Sequence, residues 1–184
     1  DEAIKMGDRI AVLQEGGRLA QYATPAELLM APASSFVEDF VGADRALKRL
    51  SLMRVADVHL WQAPLAFVGQ ATGEVRAKLE GAEVPHALLV DSERRPLGWL
   101  SDSDLRRDTV PRVPDSSPDP ILDTSDVLRD ALSDILQRES QYAPVVDGAG
   151  AIAGVLSIEI VREFLNSSEA AEADHPAAER PLTA

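Results

Sequence analysis

Two short patterns carry the residue types that could hold a ligand or cap a helix: Gly98, Ser101 and Asp104, and, further on, Gly154, Ser157 and Ile160. Glycine lacks a Cβ and lets a strand and a helix approach closely. Serine at such a junction can cap the helix, and an aspartate in the first turn favours its positive end. Both patterns therefore read first as strand-to-helix junctions. The three histidines, His59, His86 and His175, lie far apart and lack the spacing of metal ligands. His86 begins an apolar run and reads as a packed or half-exposed side chain. Asp102-Ser103-Asp104 fails the Asp-x-Asp-x-Asp-Gly pattern of calcium loops. There is no Gly-x-Ser-x-Gly elbow. There is also no cysteine, which excludes disulfides, thiolate zinc sites and a cysteine nucleophile. Arg94-Arg95 and Arg106-Arg107 read as solvated surface charge, with phosphate or anionic lipid as the alternative use. No catalytic site is expected.

The elements that must position these residues belong to an ordinary globular chain. Its 184 residues are 45% hydrophobic and 27% charged, with a mean hydropathy of -0.09. That length predicts one or two domains with a sizeable core. The net charge of -13 is a poor surface for nucleic acid. The acidity is uneven, because residues 111–184 hold 14 acidic side chains against 5 basic ones. The longest run without a charged residue, 58–73, includes His59, Gln62, Pro64 and Gln70. It is too short and polar for a membrane span. The opening Asp-Glu-Ala-Ile-Lys is not a signal peptide, and without an initiator Met the chain reads as a piece of something longer.

Self-similarity organises the middle of the chain. Residues 86–101 (HALLVDSERRPLGWLS) align without a gap on 142–157 (YAPVVDGAGAIAGVLS) at an offset of 56 residues. Val90-Asp91 falls on Val146-Asp147, Gly98 on Gly154, and Leu100-Ser101 on Leu156-Ser157. Each copy predicts an amphipathic helix (72–80 or 126–137, the second capped by Ser125 or Thr124). A strand follows (87–90 or 143–146), then a polar turn, a second strand (97–100 or 152–156) and a helix capped by Ser101 or Ser157. Four prolines in 111–120 (PRVPDSSPDP) exclude helix there and predict a linker. Residues 166–184, rich in Ala, Pro and acid, predict a disordered tail.

Residues 1–42 stand outside the repeat. Two short strands, 9–13 and 18–22, flank Gly16-Gly17 as a hairpin. Thr24-Pro25-Ala26-Glu27 predicts a capping box that opens a helix through Leu28, Leu29 and Met30. A second helix, 35–41, ends at Gly42.

The repeat, over about residues 55–165, resembles the tandem CBS-domain (Bateman) module, whose β-α-β-β-α units pack as a pseudo-twofold pair. The string DEAIKMGDRIAVLQEGGRLAQYATPAELLMAPASSFVEDFVG resembles the stretch after the switch histidine of an ABC-transporter ATPase. Together they resemble the C-terminal part of the ATP-binding subunit of glycine betaine/proline (osmoprotectant, quaternary-amine) importers. The resemblance implies an α/β fold of the α+β kind. It divides the chain into the end of a nucleotide-binding domain (1–42), a connecting helix (43–54), CBS domain 1 (55–110), the linker (111–120), CBS domain 2 (121–165) and the tail. It also implies a nucleotide cleft, in which Gly98, Ser101 and Asp104 match Gly-x-x-Ser-x-x-Asp in full, with Asp104 on ribose hydroxyls. In the second cleft, Gly154 and Ser157 match but Ile160 replaces the aspartate. AMP, ATP or cyclic di-AMP are the ligands so implied, none tightly bound, and cyclic di-AMP would rely on residues near Val90, Tyr142 and Val155.

The partners implied are a second copy through the CBS domains and a transmembrane permease on the inner face of the membrane. The phosphate loop, the signature motif and the switch histidine are absent from these residues, so ATP hydrolysis is expected only of a longer parent. Regulation of osmoprotectant uptake by ionic strength or an adenine nucleotide is the expected function. The competing expectation is a stand-alone CBS-pair sensor of AMP or ATP, or a dimerisation module without ligand.

Overall fold

The computed structural model describes residues 2–42 and 45–173. The chain divides into two compact units, Asp1–Leu52 with Arg162–Ala184, and Met53–Val161.

In the first unit a short helix α1 (Glu2–Met6) precedes the hairpin of β1 (Ile10–Leu13) and β2 (Leu19–Ala23), followed by α2 (Pro25–Met30), α3 (Ser35–Val41) and α4 (Arg45–Leu50). The hairpin turns where Gly16 and Gly17 take φ of 80° and 75°, a conformation open to glycine at little steric cost. The expected capping box is formed. Thr24 Oγ1 accepts from Glu27 N at 3.2 Å, and the Glu27 carboxylate accepts from Thr24 N at 2.9 Å. Val12, Leu28, Leu29, Val37 and Val41 close into one core, because α2 and α3 turn their apolar stripes onto one face of the hairpin. Of the expected connecting helix, α4 covers Arg45–Leu50, while Ala43 and Asp44 lie outside the described residues.

The second unit is built from two copies of one three-stranded sheet. The first copy runs β3 (Leu65–Phe67), α5 (Thr72–Leu79), β4 (Leu88–Val90), β5 (Pro96–Trp99) and α6 (Asp102–Leu105). The second runs β6 (Leu122–Asp123), α7 (Leu128–Gln137), β7 (Tyr142–Val146), β8 (Ile152–Ser157) and the first residues of α8 (Ile158–Ala173), which from Arg162 on is counted with the first unit. In each sheet the first two strands are parallel and the last two antiparallel. The duplication extends to irregularities: a register shift falls between Leu89 and Val90 in one copy and between Val145 and Val146 in the other. Gly98 pairs with Leu89 as Gly154 pairs with Val145.

The segment leading into each copy is hydrogen-bonded to the other copy. Trp61 and Val155 exchange both backbone bonds, at 3.2 and 2.8 Å, and Leu128 N donates to Met53 O at 2.9 Å. Reciprocally, Trp99 N donates to Ser116 O at 3.1 Å, and Val110 N to Gln70 O at 2.8 Å. Residues 111–120 contain no helix, but they are not a spacer. Pro114–Ser116 lie across β5 so closely that a Cβ on Gly98 would stand 2.3 Å from Ser116 O and 2.4 Å from Pro114 Cγ. Across β8, a Cβ on Gly154 would stand 2.6 Å from Leu60 Cβ.

Two other expectations are corrected. α7 begins at Leu128 with Val127 in the capping position and no side-chain cap. Ser125 is instead held by Asp123, whose Oδ1 accepts from Ser125 N at 2.8 Å and Ser125 Oγ at 2.7 Å, so the turn consumes the hydroxyl that would cap. The stretch from 166 is helical as far as Ala173, where α8 continues through Ala and Glu, both strong helix formers. Residues 174–184 of the expected tail lie outside the described residues.

The glycine contacts give a test with opposite signs. Gly98, at φ +155° and under backbone, should lose about 2–4 kcal/mol on change to Ala, from strain and overpacking together. Gly73, inside α5 with open space around it, should gain about 0.5 kcal/mol from the same change. Urea denaturation of both variants measures the difference.

Candidate ligand cleft

Reciprocal crossing leaves a concavity where the two copies meet. This cleft, about 380 Å³, takes His86, Trp99, Ser101, Asp102 and Ser116 from one side, and Ser140, Gln141 and Tyr142 from the other. His86 and Tyr142 are equivalent positions of the repeat, each just before or at the start of the middle strand, so the pseudo-twofold brings their rings together at 5.6 Å between centroids. Trp99 completes a trio, 6.4 Å from His86 and 6.5 Å from Tyr142. Interplanar angles of 72°, 59° and 56° tilt each ring against the others, an edge-to-face preference set by their quadrupoles.

The floor beside the rings is a hydrogen-bonded knot at the start of α6. Ser101 caps that helix, its Oγ accepting from Asp104 N at 3.1 Å, while Asp104 Oδ2 accepts from Ser101 N at 3.1 Å. The same Oδ2 accepts from Asp115 N at 3.1 Å, which ties the crossing segment to the cap. Asp115 Oδ2 in turn lies 2.8 Å from Ser101 Oγ and accepts from Ser103 Oγ. Those two hydroxyls, Ser103 first and Ser101 next, hold the Asp115 carboxyl below the usual aspartate value. Asp104 is fully buried; its Oδ1 has no hydrogen-bond partner, and its nearest cation is Arg107 Nε at 4.0 Å.

Of the site residues expected from sequence, Ser101 and Tyr142 line this cleft. Gly98 lies under Pro114 and Ser116, and Gly154 under Leu60. Asp104 is sealed beneath the Ser101–Asp115 knot rather than lining the cleft. Val90 packs with Leu88 and Ile152 in the core. Ser157 is buried and caps α8 through Ile160 N at 3.3 Å, with no carboxylate to return the bond. His86, Trp99, Asp102, Ser116 and Gln141 were not among the expected residues. The 56-residue offset that pairs His86 with Tyr142 was the signal that could have found the first of them. Among the described residues, Asp102 is the one acidic side chain lining the cleft, and no Lys or Arg lines it. Arg95 is ion-paired with Glu93 at 2.7 Å on the surface. Among the described residues, no group of three or more His, Asp or Glu is placed to hold a metal ion. No helix there is long and apolar enough to cross a membrane.

Two β-α-β-β-α copies with exchanged leading segments define a tandem CBS-domain pair. Solved CBS structures superpose accordingly: CBSX2 in complex with AMP (TM-score 0.52, 21% identity, 63% of this chain and 98% of that one). The CBS-domain pair of protein MJ0100, with 5'-methylthioadenosine and S-adenosylmethionine, gives 0.51 and 14% identity over 61% and 98%. These likenesses show the fold. No protein-family model matches the chain. By sequence the chain is similar to the ATP-binding subunits of osmoprotectant-type ABC importers. It is 34% identical over 169 residues to the osmoprotectant import ATP-binding protein OsmV of Salmonella typhimurium, covering 91% of this chain and 44% of the relative. It is 33% identical over 165 residues to the carnitine transport ATP-binding protein OpuCA of Listeria monocytogenes, covering 85% and 41%. With the choline transport ATP-binding protein OpuBA of Bacillus subtilis it shares 30% over 181 residues, covering 92% and 47%. The chain thus spans less than half the length of the curated relatives it matches.

The knot at α6 yields a stability test. Asp104→Ala removes the acceptor of two backbone N–H groups and should cost about 1–3 kcal/mol. Asp115 contributes in a pH-dependent way. Its folded-state pKa lies below the ordinary 3.8, so its contribution is whole above 3.8 and is lost as pH falls through the lower folded value. Thermal melts of wild type and Asp115→Asn should therefore converge as pH drops below 3.8. A gap that stays constant with pH would contradict the assignment.

Proposed function

We propose that this chain is the regulatory CBS region of the ATP-binding subunit of a glycine betaine/proline-type osmoprotectant importer. Its relatives carry osmoprotectants, carnitine and choline by name. In this reading residues 1–42 end an ATPase domain whose catalytic motifs belong to a longer parent. The parent sits on the inner face of the membrane against a permease, and two copies pair through their CBS domains. The cleft between the copies is where a small molecule sets the level of transport.

A single observation carries the reading. The cleft is built from both copies and from the segment that locks them together, so an occupant touches every part that could shift. An adenine nucleoside suits it, with a planar base against Trp99, His86 and Tyr142, and hydroxyls on Ser101, Asp102 and Ser116. Two neighbours of this fold were solved with adenine-containing ligands. Because no Lys or Arg lines the cleft, phosphate groups find no charged partner there. Affinity should then come from the nucleoside: adenosine and AMP should bind within about 3-fold of each other, and ATP no more tightly. Asp102→Asn, which removes a charged acceptor for a hydroxyl, should weaken AMP by about 10-fold. Calorimetry on the purified chain with adenosine, AMP, ATP and cyclic di-AMP measures this, and absence of heat with all four would overturn the ligand assignment.

A further inference from the structure

The walls of the cleft combine two features that an anionic nucleotide does not need together. One is a cluster of three tilted aromatic rings, with His86 exposed and Trp99 and Tyr142 half-buried. The other is the Asp102 carboxylate on the same rim, with no basic Lys or Arg side chain lining the cleft to neutralise it. The faces of Trp and Tyr rings carry negative potential, and a cation seated over such a face within about 6 Å of its centroid is attracted to it. With the Trp99 and Tyr142 centroids 6.5 Å apart, one cation seated against both rings can lie within that range of both, with His86 closing the side of the cluster. A small metal cation holds its water too firmly to exploit this. A quaternary ammonium group is bulky, sheathed in methyl groups and weakly hydrated, so it gives up little on entering an aromatic surface. The hydroxyl and amide groups of Ser140 and Gln141 lie beside the rings for the polar end of such a molecule.

We propose that the cleft binds the quaternary ammonium head of a small solute such as choline or glycine betaine, the same class of compound as the cargo of the importer proposed above. The inference rests on reading the cleft as the regulatory site and deepens it. A solute that competes with an adenine nucleoside for one cleft reports its own accumulation to the transporter that delivers it. Choline, a simple cation, gains from both the rings and Asp102. Glycine betaine is a zwitterion, so the attraction of its ammonium head to Asp102 is offset by the repulsion of its carboxylate and it gains from the rings alone.

The test uses calorimetry and Trp fluorescence on the purified chain, with choline, glycine betaine and tetramethylammonium as probes and KCl at matched concentration as control. Choline and tetramethylammonium should bind and raise the apparent Kd of adenosine, and KCl should do neither. Trp99→Leu should weaken choline by about 10-fold or more, and Trp99→Phe should restore most of it. Asp102→Asn should weaken choline by about 3–10-fold and leave glycine betaine almost unchanged. Should Trp99→Leu fail to fold, Tyr142→Leu should still weaken choline by about 3-fold. Adenosine binding with choline no better than KCl overturns this inference and leaves the regulatory cleft standing. Choline binding that ignores all of these variants overturns it as well. Choline binding without adenosine supports it and overturns the nucleoside assignment. Binding of neither overturns both.

Discussion

The second unit depends on one constraint: the backbone leading into each repeat must pass directly over the second hairpin strand of the other. Only a residue without a Cβ permits it, because at Gly98 the carbonyl of Ser116 occupies the space a methyl would fill, and at Gly154 Leu60 does. Once the segments have crossed, neither repeat can bury its apolar strands without its twin. Leu88 and Val90 of one copy pack with Ile152 of the other. The backbone bonds Trp99–Ser116 and Trp61–Val155 then hold the exchange in place. The duplication is thus one folding unit, and the glycines of the Gly-x-x-Ser pattern are first of all crossing points.

The cleft follows from that crossing. The segment that covers Gly98 delivers Ser116 to the rim and Asp115 to the Ser101–Ser103 hydroxyls, so the α6 cap and the exchanged segment are one hydrogen-bonded object. Asp104, for which the resemblance implied a ribose acceptor, is the buried hub of this knot through Oδ2, while its Oδ1 has no hydrogen-bond partner. The exposed acid beside the rings is Asp102, two residues earlier. In the proposed reading, an occupant that presses on the Ser101 floor would pull on the lock between the copies, because the cap and the crossing segment share these bonds.

Local chemistry made much of this legible in the sequence. The hairpins, the Thr24 and Ser101 caps and the gapless repeat follow from glycine placement, hydroxyl spacing and apolar periodicity, all properties of neighbouring residues. What escaped depends on partners far along the chain. Residues 111–120 read as a linker because four prolines speak against helix, and proline says nothing of what an extended segment lies upon. Ser125 is the local exception: it read as a cap, but Asp123, two residues away, holds its hydroxyl. Asp104 read as a ligand group, because burial by Asp115 is a tertiary fact. The aromatic trio could be reached only halfway: the repeat offset pairs His86 with Tyr142, whereas Val155, the counterpart of Trp99, carries no ring, so symmetry does not announce the third member.

In the reading proposed above, an occupant of the cleft acts on the crossing that joins the repeats. Amide hydrogen exchange of the chain, with and without a saturating cleft ligand, tests it most directly. Bound ligand should slow exchange at Trp99 and Asp115, whose N–H groups bond Ser116 and Asp104, and at the stretch around Tyr142, with α2 and α3 unchanged. Bound ligand that leaves the Trp99 and Asp115 amides exchanging at their free rates would contradict it.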